Sequence, residues 1–180
     1  DNADFSRVQI FIDPSQVLQM QAQGHEIASH TRTHPSLPNI QASQMQDEIN
    51  LSKSDLVGMG ITNVKALVYP YGDYSPAVES TAQTAGYIGA RSVDRGFNDK
   101  ATNKFELKTQ QMGNTVTLDE VKAFIDTAYQ NKTWLTLMFH QVDNSGLPLA
   151  MTPELFQQVV NDIASKNMPV VTLEQGISQM

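Results

Sequence analysis

The sequence predicts an α/β fold in which parallel strands are joined by helical crossovers, as a sheet or a barrel. Short apolar, β-leaning runs alternate with amphipathic segments from end to end. Capping signals and Gly or Pro stops mark off the helices between those runs. At 180 residues the chain suits one domain with a full core and is short for two, so residues 1–180 read as a single domain.

In order along the chain, Asp13-Pro14 opens a helix carrying Val17, Leu18 and Met20, and Gly24 stops it. Residues 25–30 read as a short strand, followed by a loop with Pro35 and Pro38. Ser43 and Gln46 form a capping box for a helix reaching Gly58 or Gly60. Residues 65–69 make the next strand, broken by Pro70 and Gly72. Pro76 starts a helix that Gly86 ends, and residues 87–92 give a further strand. Beyond a polar stretch over 94–103, residues 105–109 form a weaker strand. Thr117 and Glu120 form a second capping box, for a helix bearing Val121, Phe124, Ile125 and Ala128. Residues 134–139 are almost continuously apolar, as expected of a strand buried on both faces. Thr152-Pro153-Glu154 starts the last long helix, because Thr caps and Pro suits the first turn. Residues 169–173 are the final strand.

Hydrophobic residues make up 40% of the chain and charged residues 17%, a globular composition. A net charge of −7 and a pI near 4.9 argue against nucleic acid and anionic membrane surfaces as partners. An uncharged sugar polymer is compatible with that acidity. With no cysteine, thiolate metal sites and disulfides are excluded together. No apolar run approaches the length of a membrane span, and the N-terminus lacks a charged-then-apolar signal pattern. The chain begins at Asp1-Asn2-Ala3 without Met, as processing or trimming upstream would leave it.

In parallel α/β folds chemistry gathers at the C-terminal ends of the strands. His30-Thr31-Arg32-Thr33-His34 lies at one such end. Two imidazoles separated by three residues can face one metal, and Pro35 disfavours a helix at His34, so a loop is expected. Neutral imidazole suits zinc, cobalt or nickel, and a catalytic site adds a carboxylate and an open position. Spacing alone equally describes two polar surface residues. Tyr69-Pro70-Tyr71-Gly72-Asp73-Tyr74 follows the next strand. Pro70 and Gly72 fix an unusual backbone path there, and the amide of Tyr71 can face a developing oxyanion. On its own this is also an ordinary turn with aromatic packing. His140 closes the apolar strand, where a titratable ring suits proton transfer, although a satisfied core histidine would look the same. His25, at the opposite end of its strand, reads as structural. Three strands thus deliver His30 with His34, Pro70 with Tyr71 and Gly72, and His140 to one edge.

These residues resemble the polysaccharide deacetylases of carbohydrate esterase family 4, the NodB homology domain. Gly24-His25-Glu26-Ile27-Ala28-Ser29-His30-Thr31-Arg32-Thr33-His34-Pro35 is similar to that family's His-Ser/Thr-x-x-His metal motif with its flank. Tyr69-Pro70-Tyr71-Gly72 resembles the groove motif whose Tyr amide helps to stabilise the oxyanion. Met138-Phe139-His140 resembles the Leu-x-His motif that carries the general acid. The resemblance implies a distorted (β/α) barrel and a divalent metal, most often zinc, held by His30 and His34. It implies hydrolysis of an N- or O-acetyl group from a sugar polymer, with Pro70 and Tyr71 against the substrate and Tyr71 and His140 as catalytic groups.

Three features depart from the family pattern. The Thr-Phe-Asp-Asp motif, which supplies the general base and third metal ligand, is absent, and none of Asp1, Asp4 or Asp13 sits in its context. The expectation is a barrel whose first strand or strands lie outside these residues, so that the domain is N-terminally incomplete. The Arg that commonly precedes the Pro-Tyr-Gly turn is replaced by Val68. The Asp-x-Trp motif has only Asp94 as a weak match, which would tune His140. Two further readings stand beside the deacetylase: a catalytically inactive carbohydrate-binding derivative, and a zinc hydrolase of a non-sugar amide. Chitin oligomers, peptidoglycan, poly-N-acetylglucosamine and acetylated xylan all fit the resemblance, which also implies an extracellular or cell-envelope location. The choice of polymer falls to the loops at 73–75, 94–103 and 142–149.

Overall fold

The structure, a computed structural model, describes residues 12–180. Its first helix, α1 (Pro14–Ala22), starts where the Asp13-Pro14 signal places it: the Asp13 carboxylate accepts the Ser15 amide at 2.8 Å. The expected strand over 25–30 shrinks to a single bridge. Ser29 N–H donates to Ala66 O and Ser29 O accepts from Val68 N–H, and no ladder forms on either side of it. Helix α2 (Ala42–Gly58) begins earlier than the Ser43/Gln46 box implied, because Gln41 and Gln44 make the reciprocal capping bonds instead.

Strand β1 (Ala66–Val68) leads through the turn Pro70–Gly72 into α3 (Pro76–Thr84), whose cap Ser75 bonds the Val78 amide. Next come β2 (Gly89–Arg95) and β3 (Leu107–Gln111). No helix joins these two, so the expected alternation of strand and helix lapses once. The segment is held by Asn98, which is fully buried. Its side chain bonds both backbone groups of Lys108, and its backbone exchanges bonds with Trp134 at 2.9 and 2.7 Å. The Asn98 side chain and backbone together act as a substitute for a strand, bridging neighbours that would otherwise leave polar groups unpaired.

The Thr117/Glu120 capping box forms as expected at the start of α4 (Leu118–Asn131). Strand β4 is limited to Leu137–Met138. Within 134–139 only Met138 is buried, whereas Leu135, Leu137 and Phe139 are partly covered by α4 and α5. Trp134 packs instead with Leu107 and Ile177, so the apolar run is covered on both sides, mostly in part and fully only at Met138. A short parallel pair, β5 (Gln141–Val142) and β6 (Ala150–Met151), follows without having been anticipated. Thr152 caps α5 (Pro153–Ser165) as read from the sequence. The expected strand at 169–173 is absent: Val170 stands exposed, and Thr172 with Gln175 makes a capping box that begins α6 (Leu173–Gln179) instead.

The sheet order is β1-β2-β3-β4, every neighbour parallel. Spatial order follows chain order without a reversal, which is barrel-type winding, distinct from the doubly wound kind. Among the described residues this parallel sheet curls into an open half-barrel. Two apolar clusters flank it. Ile49, Leu67, Tyr69 and Val78 lie under α1, α2 and α3, and Val121, Ile125, Met151 and Val159 lie between α4, α5 and the strand ends. Full burial of each such aliphatic side chain contributes about 1.5–3 kcal/mol, so the two clusters clamp both flanks of the edge where the strands end. Gly176 lets α6 close on the sheet, since a Cβ there would meet the Trp134 ring at 2.4 Å.

Candidate active site

The loop from His30 to His34 follows the Ser29 bridge. His30 Nδ1 lies 2.8 Å from the Val68 carbonyl, which can only accept, so this nitrogen carries the proton and Nε2 keeps its lone pair. His34 Nε2 lies 3.1 Å from His30 Nε2. Two nitrogens bound to one tetrahedral zinc ion at about 2.0–2.1 Å would stand about 3.3 Å apart, so this spacing fits a shared divalent ion. Burial chiefly, with the nearby charges of His34, Arg91 and His140, holds the His30 pKa below its usual value against the opposing Val68 bond. That favours the neutral, ligating form. The donor set thus fits two metal ligands, and no cluster of three or more His, Cys, Asp or Glu able to hold an ion occurs among the described residues.

The loop is built under strain. Thr31 and His34 both have left-handed backbones, with φ of 66° and 62°, a region non-glycine residues rarely occupy and one that clusters at functional sites. Glu48 on α2 keeps it there. Its carboxylate accepts the amides of Arg32 and Thr33 at 2.7 and 2.8 Å and the Thr33 hydroxyl at 2.5 Å. Arg32 also pairs with Asp55, about two helix turns further along α2.

Tyr71 shares this strained backbone, with φ of 58°, and its ring meets that of His34 edge-on at 4.7 Å. The turn is closed by Gly72 N–H to Tyr69 O and Asp73 N–H to Pro70 O, so its two hydrogen bonds leave the Tyr71 amide out. Gly72 is obligatory. Its φ is +79°, and a Cβ would lie 2.4 Å from Val93 Cγ2 and 2.7 Å from the Val93 amide nitrogen.

His140 follows β4 and is exposed. Laid flat, the spacing from the Ser29 segment to β4 would be about 19 Å, four inter-strand steps of about 4.8 Å. Its charge nonetheless acts on His30. His30 is in contact with His34, and His34 with Tyr71, and His140 follows the end of β4. His25 stays away from them, exposed beside α6 in a second cleft with Glu26 and Glu174. Asp94 Oδ2 accepts the Tyr74 hydroxyl at 2.9 Å. Asp13 is occupied as the cap of α1, and Asp1 and Asp4 lie outside the described residues.

Glu48 and Arg91 were not read from the sequence. Glu48 lies beside the buried positions Met45, Ile49 and Ser52 of α2; an acid at the margin of a buried helical face was its only signal. Arg91 stands directly across from Val68 in the β1–β2 register. Its guanidinium, held by Ser92 O and Met138 Sδ, has no carboxylate partner among the described residues.

Residues 3–90 match the family model of polysaccharide deacetylases. A chitooligosaccharide deacetylase of Bradyrhizobium sp. (strain ANU 289) is 32% identical over 84 residues, covering 45% of this chain and 38% of that protein. The chain thus spans about two fifths of the length of the curated relatives it matches. Among solved structures, the chitin deacetylase of Colletotrichum lindemuthianum is similar with a TM-score of 0.65 at 16% identity, over 94% of this chain and 69% of that one. A family 4 carbohydrate esterase of Streptomyces lividans in complex with acetate aligns with a TM-score of 0.56 at 18% identity, over 91% and 74%. These two likenesses speak for the fold. The sequence match over residues 3–90 makes that part of the chain similar to polysaccharide deacetylases.

Proposed function

We propose that the protein removes acetyl groups from a polysaccharide or oligosaccharide, with a divalent metal, zinc first and cobalt or nickel as alternatives, held by His30 and His34. The observation that carries this reading is the convergence of the two Nε2 atoms at 3.1 Å beside the strained Tyr71 turn. A divalent ion bound there supplies Lewis acidity to the acetyl carbonyl and to water.

The protein's own groups do the rest. Val68 O holds His30 in the tautomer that presents Nε2, and Glu48 fixes the loop that carries His34. The Tyr71 amide, presented by its left-handed backbone, donates to the oxygen on which negative charge grows, and Pro70 keeps that backbone in place. His140, exposed to the site, protonates the leaving amine or alcohol. The family relatives are named for chitooligosaccharide and chitin deacetylation, which supports a sugar substrate. Among the described residues no helix is long and apolar enough to cross a membrane, and an extracellular or envelope location follows from polymers found there.

The test is acetate release from N-acetylated chitooligosaccharides, peptidoglycan fragments, poly-N-acetylglucosamine and acetylated xylan, after chelation and again after adding zinc or cobalt. Release that depends on metal and falls by at least about 10²-fold in His140→Ala is expected. No release from any of the four with metal restored sinks the enzyme reading and leaves the inactive carbohydrate-binding derivative.

A further inference from the structure

Arg91 stands in one row with His30 across the sheet. Ser29 bridges Leu67, so His30 is level with Val68, and Arg91 is the register partner of both Val68 and Leu107. Paired residues of a parallel sheet point to the same side, and alternate residues of a strand share a face. Ala28, Ala66 and Leu107 pack together against Ile177 of α6, which puts His30, Val68 and Arg91 on that same inner face of the half-barrel. The Arg91 Nη1 donates to Ser92 O and Met138 Sδ. Met138 is level with Gln111, beyond Leu107 along β3, so the side chain runs up the inner face toward the strand ends. Its charge is felt at His30, where it helps to keep the ring neutral.

A cation drawn out of water is ordinarily paired. Burial pushes the Arg91 pKa down, and no acid among the described residues offsets it. Nη1 is tied, whereas Nε and Nη2 have no hydrogen-bond partner among those residues. These two nitrogens form the edge with which a guanidinium grips a carboxylate through parallel bonds. Two neighbours on the inner face are unpartnered as well. Thr109 shares the face of Leu107 and is fully buried, Thr136 shares that of Met138, and both hydroxyls are sealed from solvent without a partner. This face therefore offers donors to a guest that accepts.

We propose that Arg91 is the seat of a carboxylate, held side-on by Nε and Nη2 next to the imidazoles of His30 and His34. One permanent charge is matched by one carboxylate and undermatched by a phosphate. The planar group also leaves lone pairs free to face the histidines. Arg91 is thus a positioning residue: the carboxylate, rather than the guanidinium, meets the ion proposed at the pair, where two neutral imidazoles call for an acidic oxygen. The assignment rests on the deacetylase reading for that ion alone. The guest has two sources of the same chemistry: a free carboxylate such as acetate, which hydrolysis of an acetyl group releases, or an acidic side chain of the protein outside residues 12–180.

The experiment follows the Arg91 Nε–H signal by NMR as sodium acetate is added to the zinc-loaded protein at constant ionic strength. A downfield shift, with coupling through the hydrogen bond to the carboxyl carbon of isotope-labelled acetate, identifies the free ion. The same shift before acetate is added, with coupling to a carboxyl carbon of the labelled protein, identifies a side chain. Both support the seat. Coupling to neither, or an equal shift with chloride or phosphate, overturns it, and this reading needs no variant to fold. Zinc affinity measured in acetate against a coloured chelator is the second readout. Arg91→Met should weaken zinc about tenfold, and Arg91→Lys, which keeps the charge and loses the fork, should recover part of the loss. A merely structural arginine would move the melting temperature and leave zinc affinity unchanged, which also overturns the seat. Acetate release from sugars tells the two readings apart: release with Arg91 uncoupled to any carboxylate defeats the seat and spares the deacetylase, and coupling without release does the reverse.

Discussion

The Glu48 carboxylate grips Thr33 twice, through its amide at 2.8 Å and its hydroxyl at 2.5 Å, and so ties the loop between His30 and His34 to α2. A charged acceptor makes each of these bonds stronger than a neutral one would be. Glu48→Gln keeps one acceptor oxygen but turns an NH₂ group toward amides that also donate. The strained backbones of Thr31 and His34 should then relax. The expected outcome is loss of the edge-on His34–Tyr71 ring contact, seen as disappearance of nuclear Overhauser effects between the two rings, with global unfolding shifted by about 1–2 kcal/mol. Retention of that ring contact in the variant would mean that the loop holds its own shape.

The same residue sets a pH dependence. Burial alone would raise the Glu48 pKa, but the bonds from Thr33 and Arg32 outweigh it and leave the folded value below 4.5. A group depressed in the folded state stabilises it above its unfolded pKa and loses that contribution as pH falls through the folded value. Loop order should therefore be complete at neutral pH, intact down to about 4.5, and lost in more acidic solution. Amide exchange at Arg32 and Thr33 measures this; exchange that quickens already between pH 7 and 5 would point to a different group.

Gly72→Ala tests the turn that presents Tyr71. The added Cβ meets the Val93 side chain and, at 2.7 Å, its backbone nitrogen, which cannot swing aside as a flexible side chain would. Together with the left-handed backbone this should destabilise the protein by about 2–4 kcal/mol. Urea unfolding gives the number, and a loss below about 0.5 kcal/mol would show that β1 and β2 shift apart freely at this point.

Much of this architecture was legible because it is local. Asp13, Thr117 and Thr152 cap their helices through bonds to residues two or three positions away, and the strand-end placement of His30, Tyr71 and His140 follows from topology. What failed to show was non-local. Residues 25–28 have strand character but find no ladder, and residues 169–172 yield to the Thr172/Gln175 capping box. Asn98 substitutes for a strand through bonds to Lys108 and Trp134, which no periodicity reveals. The site divides the same way. The histidines announce themselves by spacing, whereas Glu48 reaches its loop from fifteen residues along the chain and beyond, and the Ser36–Asp73 pair joins two loops.

The histidine pair makes a thermodynamic prediction that does not depend on turnover. A ligand that binds the folded state alone stabilises it by about 2.7 kcal/mol when present at 100 times its dissociation constant. Zinc at that excess should raise the unfolding free energy of the parent protein by about this amount. His30→Ala and His34→Ala should each abolish the effect, because the remaining imidazole has no second nitrogen 3.1 Å away to share the ion. Val68 lies on the opposite side of the His30 ring and only fixes its tautomer, so Val68→Leu, which retains the backbone carbonyl, should leave the zinc effect in place. Equal stabilisation of the parent and both alanine variants would locate zinc binding elsewhere on the chain, and with it the chemistry assigned to this pair.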